Sequence, residues 1–400
     1  MRAALREARE AGVVVTKRIT VGALRYWLAL SATGIALTAA PVYGAILPED
    51  RADVLYHAYS GGGVKINGPS VLVLKQIGSS VAVSGNYYVD SVTSASIDVV
   101  TTASEYTEER TEKSLGLQFL HDKTIMSGGY TVSDENDYHA NSAHFNISQG
   151  MFGDLTTVSM GYSLGWDEVG QNGDPAFLEE VDRQHYRVGL SQILTKDWIL
   201  DFGYEAITDE GYLNNPYRQV RFSDSSVAKG YSYEPELYPH TRTSNAAALR
   251  TKYYLPYRAA LHGEYRYFED TWGIKAHTVE LGYTHPWRDR WIFKAKYRYY
   301  TQSKADFYSD MFGRSEETNF RARDKELSTF NSHTVGFGAT YEFVRDWGLI
   351  ERGTLNLSYD HIMFGYDDFR DLSIEGSAAG EEPLYDFTAD VMQFYLSIWY

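Results

Sequence analysis

The 400-residue chain predicts an all-β fold: a closed antiparallel transmembrane β-barrel of about sixteen strands. Three observations carry this expectation. Segments of about ten residues alternate apolar and polar side chains, the period of a strand with two different faces. Short and long connections alternate along the chain, as the short periplasmic turns and long outer loops of such barrels do. The last ten residues, "VMQFYLSIWY", hold the alternation to an aromatic tip, with Met392, Phe394, Leu396, Ile398 and Tyr400 on one parity.

Composition agrees with the pattern. There are 33 Tyr, 18 Phe and 8 Trp, and hydrophobic residues make up 44% of the chain. Mean hydropathy is nevertheless −0.37, so apolar residues are interleaved with polar ones rather than bunched. A net charge of −16 argues against nucleic acid as a partner. Cysteine is absent, which excludes disulfides, thiolate metal sites and thiol nucleophiles, and suits passage through an oxidising periplasm.

The elements follow in order. Residues 1–45 read as a secretory signal peptide. Arg2, Arg6, Arg9, Lys17, Arg18 and Arg25 precede the apolar core "YWLALSATGIALTAA", and cleavage is expected after Gly44 or Ala45. Residues 46–400 are expected to form the barrel. Its strands are predicted at 52–60, 64–77, 80–92, 110–121, 124–136, 140–149, 155–167, 184–195, 198–209, 242–255, 258–270, 274–285, 290–304, 330–343, 354–367 and 389–400. The first two are the weakest, because "YSGGGVKINGPS" separates them and residues 46–60 could instead lie inside the pore. About fourteen strands is the alternative count. Tight turns are expected at 78–80, 121–123, 195–197, 256–258 and 286–289, and long loops at 96–110, 167–183, 208–241, 304–329 and 368–388. In hydrocarbon every backbone polar group needs a partner within the protein, so the last strand must pair with the first. The terminal strand also resembles the C-terminal signal read by the barrel-assembly machinery.

If the aromatic parity faces lipid and lipopolysaccharide, the other parity faces the lumen. That places Arg250, Lys252, His262, Glu264, Arg266, Glu280, Lys294, Lys296 and Arg298 inside on neighbouring strands, with Asp201, Glu205, Glu342 and Asp360 on other sectors. A basic strip on a low-dielectric wall attracts anions, although internal salt bridges would quench it. Acidic clusters at 133–139, 166–174 and 366–371 lack the spacing of a calcium loop. No G-x-S-x-G, H-E-x-x-H or phosphate-cradling G-x-x-x-x-G-K run occurs, so no enzyme is predicted.

"NYYVDSVTSASIDVVTTASEYTEERTE" (86–112), "LPEDRADVLYHAYSGGG" (47–63), "FGDLTTVSMGYSLGWDEV" (152–169) and "RDKELSTF" (323–330) resemble an uncharacterised family of outer-membrane barrels. It is one of the numbered domains of unknown function. The resemblance implies a barrel in the outer membrane of a Gram-negative bacterium. It further implies an extracytoplasmic redox setting, since members are often encoded near a small lipoprotein, a thioredoxin-like protein and a flavin transferase. In that setting "DSVTSAS" (90–96) resembles the D-x-x-[ST]-[GS]-A-[TS] target of flavin transferases, with Asp90 as leading acid and Thr93, Ser94 and Ala95 before the acceptor. Ser96 would then carry FMN as a phosphoester, although Ser stands where Thr is usual and Ser94 where Gly is usual. The reading is a redox-associated barrel, carrying covalent FMN or housing a small lipoprotein. The alternative is a passive channel or transporter for small, anionic solutes.

Overall fold

The computed structural model describes residues 46–94, 106–374 and 376–400. Sixteen strands close into an antiparallel barrel. They are β1 (Arg51–Gly61), β2 (Val64–Ile77), β3 (Val81–Ser94), β4 (Tyr106–His121), β5 (Thr124–Asp134), β6 (Tyr138–Met151), β7 (Thr156–Gln171), β8 (Asp174–Thr195) and β9 (Trp198–Gly211). After them come β12 (Thr241–Tyr254), β13 (Ala260–Asp270), β14 (Lys275–Trp287), β15 (Trp291–Gln302), β16 (Phe330–Trp347), β17 (Ile350–Arg370) and β18 (Leu384–Trp399). Two short strands, β10 (Gln219–Ser223) and β11 (Tyr231–Pro235), form a separate hairpin between β9 and β12. Each barrel strand pairs with its neighbours in sequence, β9 with β12, and β1 pairs with both β2 and β18. Residues 51–61 are thus wall and not plug, and no edge remains unpaired, as a sheet in hydrocarbon requires.

The two ends differ. Turns 78–80, 122–123, 152–155, 196–197, 255–259, 288–290 and 348–349 lie at one end, and all are short. The other end carries the long connections 212–240, 303–329 and 371–383, but also brief ones at 62–63, 135–137, 172–173 and 271–274. The expected loop 167–183 is mostly strand: β7 and β8 continue to a tip at Asn172 and Gly173. The polar residues there sit in paired strands: hydrogen-bond pairing persists across Glu168 and Glu180, and Arg183 Nε donates to Asp167 Oδ2 at 2.8 Å.

Alternation becomes two surfaces. Val71, Val73, Leu115, Leu117, Val188, Leu190, Phe202, Leu281 and Phe337 stand exposed on the outer wall. Above this band, toward the long-loop end, outward tyrosines reach a polar residue on the next strand. Tyr130 Oη donates to Asn141 at 2.8 Å, Tyr204 to Asn245 at 2.6 Å and Tyr359 to Asp390 at 2.6 Å. Tyr265 and Tyr297 lie 2.8 and 2.7 Å from Nδ1 of His277 and His333. An aromatic ring in the apolar band with its hydroxyl toward water is the arrangement favoured at a membrane boundary. Trp198, Tyr253, Tyr257, Trp287 and Tyr400 stand exposed near the short-turn end.

The interior is layered. Inward positions on β17 run Asp360, Ile362, Phe364, Tyr366, turning from polar to apolar toward the long-loop end. There they meet a cap. Leu213, Tyr238, Trp272, Ala305, Tyr308, Ala322 and Leu327 from the connections pack with Tyr59, Val64, Ile66, Val92, Phe330 and Phe364 from the wall. Tyr238, Trp272 and Phe307 form a mutually packed aromatic trio with ring centroids 5.2–5.5 Å apart. Phe222 of the hairpin bridges to Phe312 in segment 303–329, and Leu237, just beyond β11, bridges to Arg321 in the same segment.

Candidate functional site

The nine ionisable residues expected on neighbouring strands lie on inward positions of β12–β15, opposite exposed Leu249, Leu261, Tyr265, Val279, Leu281, Phe293 and Tyr297, and Asp201, Glu205, Glu342 and Asp360 lie on β9, β16 and β17. Pairing arranges them in rows. Arg250, Glu264, Glu280 and Arg298 are consecutive across four strands. The next row toward the short turns is Lys252, His262, Gly282, Lys296, Gly336 and Asp360. Lys294 lies one row beyond, between Thr284 and Gly338. Arg266 is one row on the other side, facing Ala248 and Thr278.

Acids pair with some of these bases. Arg250 Nε donates to Glu264 Oε2 at 2.7 Å and Lys296 Nζ to Asp360 Oδ2 at 2.7 Å. Arg266 Nη2 lies 3.5 Å from Glu205 Oε2, which also has His185 Nε2 at 3.8 Å. Two glycines make room for this layer. A Cβ on Gly282 would stand 1.8 Å from His262 Nε2, and one on Gly336 would stand 2.2 Å from Asp360 Oδ1 and 2.4 Å from Lys296 Cε. The long side chains therefore lie along the wall instead of crossing the lumen.

A second charged cluster sits in the cap, and the sequence reading missed it. Arg221 on β10 is fully buried. Its Nη1 and Nη2 donate to the two carboxylate oxygens of Glu382 at 2.6 and 3.0 Å, its Nε donates to the Asp310 carbonyl at 2.9 Å, and Nη2 also bonds the Asp310 carboxylate. Arg323 bonds the same Asp310 and the Arg370 carbonyl at 3.0 Å, over the ring of Phe369. One guanidinium thus ties together segments 212–240, 303–329 and 371–383. Nearby, Glu236 accepts from the backbone N–H of Arg323 at 2.7 Å and from Tyr238 Oη at 2.6 Å, and Asp324 pairs with Arg218. Burial, with the Asp324 carboxylate beside it, pushes the Glu236 carboxyl up to about 7. The only sequence signal was the alternation in "QVRFS", too short to stand out in a loop.

The motif at 90–96 is placed only in part. Asp90 faces the lumen from β3 and is fully buried, with Oδ1 2.6 Å from His57 Nε2. Tyr88 Oη lies 3.0 Å from the same nitrogen, and the two rings stack with centroids 5.1 Å apart. Arg110, paired with Glu112 at 2.7 Å and Ser133 at 2.9 Å, adjoins Tyr88. Thr93 lies near the end of β3, on the outward parity. Ser94 ends the strand; its side chain, with Ala95 and Ser96, lies outside the described residues. Among the described residues no group of three His, Asp or Glu is placed to hold a metal ion.

None of the curated proteins compared with the chain matches it. Among solved structures it is similar to a bacterial polysaccharide outer membrane secretin, at TM-score 0.47 and 8% identity over 88% of this chain and 100% of that one. It is also similar to the siderophore receptor PirA from Pseudomonas aeruginosa, at TM-score 0.41 and 11% identity over 88% of this chain, which spans 63% of the receptor. A FadL homologue of Pseudomonas aeruginosa gives TM-score 0.41 and 10% identity, over 88% of this chain and 91% of that one. The barrel fold rests on the hydrogen-bonded closure itself, not on these distant likenesses. Residues 101–353, more than half of the chain, match the family described as "Protein of unknown function (DUF3570)", and the chain belongs to that family.

Proposed function

We propose that the chain is a non-enzymatic passage for small anionic solutes in the outer membrane of a Gram-negative bacterium. The observation that carries this reading is the set of bases on inward positions of three strands of one sector, Arg250 and Lys252 on β12, Arg266 on β13, and Lys294, Lys296 and Arg298 on β15. A charged wall around a confined aqueous space concentrates counter-ions. Acids paired with some of these bases weaken the field but do not remove it. The cap makes access from the long-loop side a controlled step. Outer lipid and lipopolysaccharide would surround the apolar belt, and the barrel-assembly machinery would insert it.

The test is a reversal potential in a planar bilayer across a potassium chloride gradient. The wild-type barrel is expected to favour chloride. Lys294→Gln, Lys296→Gln and Arg298→Gln together are expected to shift the potential toward cation selectivity. An unchanged potential in a folded triple variant would refute the reading.

The redox reading rests on the motif at 90–96 and on the family resemblance. Its chemistry, an FMN phosphoester on Ser96, needs a transferase to grip Asp90. In the folded barrel Asp90 is buried and bonded to His57, so the transferase would have to act on the chain before closure. Mass spectrometry of the 80–112 peptide from host membranes is expected to show the adduct if this happens, and Ser96→Ala to abolish it. An unmodified peptide from cells with an active flavin transferase would leave the anion passage alone.

A further inference from the structure

Exposure along the inward face changes partway down the strands. Toward the long-loop end the inward residues are buried: Ile66 and Gly68 on β2, Arg110 and Glu112 on β4, Ala246 and Ala248 on β12. The next inward residues toward the short turns are half-exposed: Ser70 and Leu72, Ser114 and Gly116, Arg250 and Lys252. The side chains of Arg110 and Glu112 are 1% and 0% exposed, whereas those of Arg250 and Lys296 are 36% and 25% exposed. An inward side chain of a closed barrel is exposed only to space inside the barrel. The cap therefore fills the lumen at one end, and a solvated chamber lies below it, for which a wall of sixteen strands leaves room.

The two ends of this chamber differ. On the long-loop side wall residues pack against Leu213, Tyr238, Trp272 and Leu327 of the cap, whose connections Arg221 ties together. On the other side the connections join adjacent strands through two to five residues, too few to fold across the opening. Residues 46–50 keep to the rim, where Asp50 pairs with Lys75 and Glu49 lies 3.4 Å from Arg352. Arg51 and Asp53, inward residues of β1 at that rim, have side chains 19% and 17% exposed. The chamber is also polarised across its width. The bases of β13 and β15 stand eight strands around the wall from β3 and β5. Inward positions behind the apolar belt there and on β4 hold Ser84, Asn86, Ser114, Gly116, Ser127 and Gly129. These are uncharged, so that side leaves the field of the bases unopposed.

Short turns of bacterial outer-membrane barrels lie in the periplasm. We propose that the lumen is a chamber loaded with small anions from the periplasm, with the cap as the barrier to their exit. This gives the anion passage a direction, and it rests on that reading for the charge of the solute. A solute arriving from the periplasm reaches the half-exposed bases on β12 and β15 through the short-turn mouth. One arriving from outside meets the packed apolar layer of the cap first.

The chain has no cysteine, so a single introduced thiol reports on its own position. Ser127→Cys places one in the chamber, Lys196→Cys on a short turn and Ser226→Cys on the cap surface. Each variant barrel is refolded into lipid vesicles, treated with a membrane-impermeant sulfonated maleimide, quenched, and then given trypsin. Cleavage after exposed Lys229 marks the chains whose long loops face outward. Ser226→Cys is expected to label in those cut chains and Lys196→Cys in the uncut ones. Ser127→Cys is expected to label at least tenfold faster in uncut chains than in cut ones. If Ser127→Cys gives no heat-modifiable folded band, Ser114→Cys takes its place with the same expectation. Equal labelling in both populations, or faster labelling in cut chains, would overturn the direction. No labelling in either would overturn the chamber. A quaternary-ammonium maleimide tests the charge separately. Its rate at Ser127→Cys, normalised to Lys196→Cys, is expected to be at least threefold below that of the sulfonated reagent. Equal normalised rates, with labelling confined to uncut chains, would keep the periplasm-facing chamber and remove the anion reading.

Discussion

Glu236 makes the cap sensitive to pH. Its carboxyl is buried beside Asp324, and its pKa rises from the ordinary 4.5 to about 7. The direction of the effect follows from proton counting. Below about 4.5 both the folded and unfolded forms are protonated and burial carries no penalty. Between about 4.5 and about 7 the unfolded form loses its proton while the folded form keeps it, so cap stability falls as pH rises. Protease protection of segment 224–230 is expected to decline across that window, and Glu236→Gln to flatten the decline. A cap equally protected at pH 4.5 and pH 7.5 would show that Arg218 holds Glu236 ionised throughout. Asp90 teaches a related lesson about single residues. In sequence it matched the leading acid of a modification motif, but in three dimensions its carboxylate is engaged by a histidine 33 positions earlier. Nothing local in "DSVTSAS" announces that partner, because antiparallel pairing of β1, β2 and β3 brings it there.

At the scale of elements, the wall was legible and the cap was not. Predicted strands at 64–77 and 330–343 fall on or within observed ones, because lipid on one side and a polar lumen on the other impose a strict period of two. That rule lapses where the inward face meets the cap instead of water. In "DHIMFGYDDF" apolar residues occupy both parities, which marks a covered segment of wall in hindsight. The hairpin β10–β11 keeps period two in strands of five residues, and its decisive contact, Arg221 with Glu382, spans 161 positions. No local pattern reports a contact of that separation. The contact is testable. Removing one partner of a buried ion pair strands the others without compensation, a cost of about 3–5 kcal/mol. Arg221→Met is therefore expected to free the three connections from one another while leaving the sixteen-strand wall intact. Limited proteolysis is expected to cut within 371–383 and 224–230 far faster than in wild type. Single-channel recordings are expected to show larger or longer openings at an unchanged heat-modifiable mobility. Wild-type cleavage and conductance would mean that the apolar core alone holds the cap.

For the molecule as a whole, closure is the step on which everything else depends, and β18 performs it. Its residues pair with β17 on one side and β1 on the other, so Ile398 stands between Gly353 and Ala52. Met392, Phe394, Leu396 and Ile398 face outward from it, while Tyr395, Ser397 and Trp399 face the lumen. The seam is pinned at its tip. The Tyr400 backbone N–H donates to the Asp50 carbonyl at 3.3 Å, its hydroxyl reaches the Leu74 carbonyl at 3.4 Å, and Lys75 Nζ sits 4.8 Å above its ring. Two effects would follow from Ile398→Asp with Tyr400→Asp, and their sizes differ. Charges on the lipid face near the interface cost only about 0–1 kcal/mol each. A closed wall with sixteen paired strands tolerates that loss. The alternating outward face of β18 is also the feature that an assembly machinery would read in the unfolded chain, and there the substitution removes recognition outright. The double variant is therefore expected to refold from urea into detergent micelles with the heat-modifiable mobility of wild type. In cells the same variant is expected to leave little or no folded barrel in the membrane. Failure in both settings would mean that the outer face of the closing strand acts through energy alone. Success in both would mean that assembly reads some other part of the chain.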